Sequence, residues 1–179
     1  MTPPTRTRSL LLAAGAALLF GAAAHAQPSV PAPATECDRL AQPPRSFFGP
    51  RLPTFADGVP AERVDAPAAR AACARAMAEW PRETRFVAYA ARAAEIAGEE
   101  AEAAALFRRA AEAGDLFARL SLGRMTMFGL GGVREDHPAA IRLIRAAAEG
   151  GLPEAQATLA RMLWFGAGGA ERDEAAVVR

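Results

Sequence analysis

Lysine and asparagine are absent from all 179 residues, so arginine is the only permanently charged base. The codon usage of a GC-rich genome accounts for both gaps. Without lysine the chain forms no Schiff base, has no phosphate-loop lysine and has no Ser-Lys nucleophile. Histidine is nearly missing as well, with His25 and His137 alone. That leaves no His-x3-His metal pair, and the two cysteines, Cys37 and Cys73, do not complete a tetrahedral shell by themselves. The expectation is therefore no catalytic residue, no metal and no cofactor. His137 follows Asp136 and reads as a residue in the first turn of a helix, while Ser121 falls mid-helix instead of on a strand-to-helix elbow. GLGGV at 129–133 lacks a preceding strand and a lysine, so it reads as a turn between helices. The acidic runs GEEAEA at 98–103 and ERDE at 171–174 fall where helices begin, where carboxylates complement the helix dipole.

Long apolar runs are limited to the start of the chain. MTPPTRTRSLLLAAGAALLFGAAAHA has a basic start at Arg6 and Arg8, an apolar run from Leu10 to Ala24 and a small-x-small site at Ala24-His25-Ala26. That is the layout of a cleaved signal peptide over residues 1–26. A run of about 15 residues is shorter than the roughly 20 needed to span a bilayer core. The expected location is periplasmic or secreted, with no membrane insertion after cleavage. Taking 26 from 179 leaves 153 residues, and losing Arg6 and Arg8 leaves 19 of the 21 basic residues against 20 acidic ones. A charge near −1 argues against nucleic acid as a partner.

In an exported chain an even cysteine count reads as a disulfide, here Cys37 to Cys73. The loop so closed is rich in proline and glycine, and residues 27–64 read as an irregular arm tethered by that bond. At Asp65 the pattern changes to a capped helix carrying Cys73, and residues 65–179 read as a helical repeat domain. The disulfide is expected to pin the arm over the open first face of the helical array.

The chain writes one stretch twice. AAEAGDLFARLSLGRMTMFG at 110–129 and AAEGGLPEAQATLARMLWFG at 147–166 agree at ten of twenty positions, including Leu122/Leu159, Arg124/Arg161, Met125/Met162 and Phe128/Phe165. A fixed period in the thirties means stacked helical hairpins. The hairpins fall at about 82–113, 115–150 and 152–179, the last incomplete. Each has a first helix A, a turn and a second helix B. In the middle copy Asp136 caps helix B, and Ala118, Gly123 and Ala140 let the pair approach closely.

GLGGVREDHPAAIRLIRAAAEGGLPEAQATL resembles the Sel-one-like repeat, through Ala118, Leu122, Gly123, Gly129, Gly131, Val133, Asp136, Ala140, Ala147, Ala148 and Gly151. One residue is inserted in the turn, Thr126 and Leu143 replace the usual aromatics, and the third copy has Ala160 for glycine. Upstream, Ala91, Ala103, Phe107 and Ala110 fit the related tetratricopeptide frame. The ECDRL start with a second Cys ahead of the repeats is similar to exported bacterial members of the family. The resemblance implies an all-α solenoid, an α-α superhelix of hairpins, and a non-enzymatic module for protein interaction and scaffolding.

Carried across the copies, the tetratricopeptide frame puts Arg92, Arg124 and Arg161 at the groove-facing helix A position after the small residue. One arginine per repeat makes a row suited to bidentate capture of carboxylates on a protein or peptide, an acidic one included. Met127, Phe128, Trp164 and Phe165 flank it as apolar contacts. The alternatives are a cell-wall or β-lactam hydrolase, suggested by cysteine-rich relatives whose repeats each hold a disulfide, and a structural piece of a longer scaffold. The repeats of this chain contain no cysteine.

Overall fold

Helix follows helix from Glu36 to Phe165 in a computed structural model that describes residues 32–44 and 58–166. The signal-peptide reading of 1–26, the middle of the arm and the last part of the third copy lie outside the described residues. The described residues contain seven α-helices and no strand: α1 (Glu36–Ala41), α2 (Ala66–Glu79), α3 (Thr84–Ile96), α4 (Glu100–Glu112), α5 (Leu116–Phe128), α6 (His137–Glu149) and α7 (Pro153–Phe165). Each packs on the next except that α1, across the irregular arm, packs on both α2 and α3. Helices α3 and α4 form one hairpin, α5 and α6 a second, and α7 is helix A of a third. The fold is the expected solenoid of helical hairpins, with a disulfide-tethered arm at its first face.

Local chemistry sets the boundaries. Asp65, Asp115 and Asp136 cap α2, α5 and α6 by accepting from the N–H three residues on, at 3.1, 2.8 and 2.8 Å. Helices α5 and α7 end alike, at Gly129 and Gly166, whose φ of 65° and 61° lies in the left-handed region that favours glycine. Those glycine N–H groups close back onto the Met125 and Met162 carbonyls.

Packing depends on small side chains. Of the 23 buried residues in the larger core cluster, which runs from the arm to α5, 15 are alanine, and Phe86, Phe107, Leu122 and Met125 supply most of the bulk. A smaller cluster joins α5, α6 and α7 through Leu120, Ile144, Ala147, Ala148, Ala155 and Met162. Between α5 and α6, a Cβ added to Gly123 would stand 2.8 Å from Ile144 Cγ1 and 3.2 Å from the Ala140 carbonyl oxygen. The two backbones approach too closely there for even a methyl group.

The arm is held by one covalent bond and two arginines. Cys37 on α1 and Cys73 on α2 are fully buried and joined as the sequence predicts. On α3, Arg85 donates to the buried Asp38 carboxylate at 3.0 Å and to the carbonyls of Ala32 and Pro33 at 2.9 and 3.0 Å. Two turns on, Arg92 donates to the carbonyls of Ala41 at 3.0 Å, Gln42 at 3.5 Å and Val59. Asp38 also closes a capping box with Thr35, accepting from the Thr35 N–H at 2.7 Å and hydroxyl at 2.9 Å.

Two outcomes follow. A chain with Cys37→Ser and Cys73→Ser should lose about 4 kcal/mol of stability, the chain-entropy value for the loop that the bond closes. Urea denaturation of the variant against the oxidised parent measures it, and alkylation of the unfolded, unreduced parent should label no thiol. Gly123→Ala should cost a further 1–3 kcal/mol, roughly, because overpacking against Ile144 outweighs the gain of about 1 kcal/mol in helix propensity. The thermal midpoint should fall, and a rise would show that α6 can move aside.

Candidate functional site

The three helix A arginines occupy equivalent sequence positions and different environments. Arg92 is buried at 6% exposure, and its side-chain hydrogen bonds to described residues go to main-chain carbonyls of the arm. Burial pulls its guanidinium below the ordinary arginine value, with the Glu95 carboxylate acting in the opposite sense. The reading of Arg92 as a partner-facing member of the row is therefore corrected: the arm covers it, and it holds the arm. Sequence spacing could not reveal this, because the covering carbonyls come from residues 33 to 51 positions away.

Arg124 takes the same place on α5, the next helix A. Glu95, a turn after Arg92 on α3, reaches it across the helix boundary at 3.5 Å. The Arg124 side chain remains 52% exposed, and an ion pair this long and this open to water contributes little. Arg161 takes the same place on α7, is exposed, and has no side-chain hydrogen bond or ion pair among the described residues.

The flanking apolar residues also divide. Met127 is partly buried against the smaller cluster, alongside Leu152 and Leu159, so it is chiefly a packing residue. Trp164, at the corresponding place on α7, is 47% exposed. Phe128 and Phe165 are each the last helical residue before a left-handed glycine, and they stand at 68% and 76% exposure. With Leu130, these three make up the exposed large hydrophobic side chains among the described residues. All four therefore sit at the ends of the helix A elements or in the turn directly after. Exposed aromatic groups next to a cation, repeated at the same place in two successive hairpins, mark a surface suited to a partner.

Residues outside this face have local roles. His137 stands in the first turn of α6, 3.1 Å from the Glu135 carboxylate, and Ser121 is buried within α5. The acids at the start of α4 include Glu99 and Glu102, which both pair with Arg70 of α2 at 2.5 and 2.8 Å and so tie two helices together. Arg85 and its partner Asp38 escaped the sequence reading, although Thr35 and Asp38 at capping-box spacing were a usable signal. No helix among the described residues is long and apolar enough to cross a membrane.

Comparison with known proteins agrees with the geometry. Residues 99–115, 117–152 and 153–176 match the Sel1 repeat. No curated protein and no solved structure gives a significant match. The first stretch covers α4, the second covers the α5–α6 hairpin, and the third begins with α7, while α3 lies ahead of the matched residues. Three adjacent matches over residues 99–176, laid on consecutive packed helices, are consistent with a Sel1-like repeat family.

Proposed function

We propose that this protein is a non-enzymatic interaction module of the periplasm or the secreted space that holds a protein or peptide against the helix A face of its repeats. Sel1 repeats are a protein–protein interaction scaffold kind of module, which supports the general reading. The observation that carries the specific one is the duplicated surface pair, Arg124 with Phe128 and Arg161 with Phe165, exposed where the other large apolar side chains among the described residues mostly pack in two core clusters. Aromatic residues and arginine are the side chains that most often dominate binding at interfaces. Acidic groups on the partner would add charge-assisted bonds to the two guanidinium groups. The arm, by closing the first face of the array, confines this surface to α5 and α7.

Removing the pairs tests the reading. The mature protein carrying Arg124→Ala and Arg161→Ala, or Phe128→Ala and Phe165→Ala, should retain partners from a cell-envelope extract at least about tenfold less well, a loss of about 1.4 kcal/mol. Helical content by circular dichroism should match the parent, since none of the four side chains is buried. Retention of the same partners by both double variants would sink the reading. Export is tested separately: the processed protein should begin at Gln27 by amino-terminal sequencing.

A further inference from the structure

The way the chain grips its own arm says what kind of segment its other arginines suit. Arg92 makes its hydrogen bonds to carbonyl oxygens and not to arm side chains. Two of the three carbonyls belong to Gln42 and Val59, which lie outside helices. The two strands of arm they come from are themselves joined, the Val59 N–H donating to the Gln42 carbonyl at 2.8 Å. Arg85, two turns before Arg92 on α3, likewise holds the carbonyls of Ala32 and Pro33, in addition to the Asp38 carboxylate. A guanidinium carries five donors in a fixed plane, so it can serve several carbonyls at once. Carbonyls within a regular helix are already bonded along its axis, whereas those of an extended segment are open to an external donor.

Arg124 and Arg161 repeat the position of Arg92 on the next two helix A elements and are exposed, with none of the described arm residues bonded to them. Arg124 has a weak, solvent-open contact to Glu95, and Arg161 has none among the described residues. We infer that Arg124 and Arg161 bind an extended segment of a partner protein by its main-chain carbonyls, as Arg92 binds the arm, with the segment's apolar side chains lying on Phe128, Trp164 and Phe165. The arm is then the resident first length of a track along the helix A face, and the partner segment takes the part beyond Glu95. The inference rests on the proposed function and narrows it: the partner is recognised as extended backbone, with carboxylates secondary.

The probe is a phage-displayed library of random twelve-residue peptides, selected on the oxidised mature chain. Enriched peptides are resynthesised, once with single amide-to-ester replacements that weaken a carbonyl acceptor and once with each carboxylate changed to an amide. Binding should fall about tenfold for Arg124→Ala or Arg161→Ala, the scale of one lost charge-assisted bond. One or two ester positions should cost about fivefold on the parent and nothing further on the matching arginine variant, which is the signature of a direct pair. Carboxylate-to-amide changes should cost less than about twofold, below the scale of a lost charge-assisted bond. If affinity follows the carboxylates and ignores the esters, the main-chain inference is overturned while the proposed face stands. Should no peptide be enriched, or should enriched peptides bind the Arg124→Ala, Arg161→Ala double variant as well as the parent, inference and face fail together.

Discussion

Close approach of helix backbones is the constraint on which the rest of this protein depends. A core in which alanine holds most of the buried positions gains little apolar area per residue, so it coheres only if its helices come near enough for dispersion contacts to accumulate. Gly123 against Ile144 and Ala140 expresses that requirement inside the α5–α6 hairpin. The same economy of side-chain volume explains why a single hairpin has too little to bury and why each must lean on its neighbours. It also explains why the end of such an array needs cover, which at the first face is supplied by α1 and its bond to α2.

The arm resolves a second problem, that of placing irregular backbone against a helical core. Extended chain brings unpaired carbonyls to the interface, and burying them without donors is costly. Arg85 and Arg92 meet this need from α3, with Asp38 balancing the charge of Arg85. A chain without lysine is well supplied for the task, because the planar guanidinium offers five donors in a fixed fork where an ammonium offers three.

What could be read from the sequence was whatever is decided locally or by repetition. Asp115 and Asp136 act as caps because their side chains serve N–H groups three residues away, and a glycine placed just past Phe128 takes the left-handed conformation that ends α5. The pairing of Cys37 with Cys73 followed from there being two cysteines in all. The site was less legible. Arg92, Arg124 and Arg161 look identical in a repeat frame, and only the arm's long-range return distinguishes the first from the others. Met127 and Trp164 separate for a related reason: α7 follows α5 and shields the methionine, a tertiary fact that no spacing within one repeat contains.

The covalent bond at one end gives the array a direction. Its first face is welded shut by α1, so an added hairpin there would have to displace a cross-linked element. Helix α7, the last among the described residues, ends in the same left-handed glycine that follows α5, a junction already used once to start another helix B. Because the copies at α5 and α7 each carry an arginine and aromatic pair, the proposed recognition surface follows the repeat itself, one inherited unit at a time.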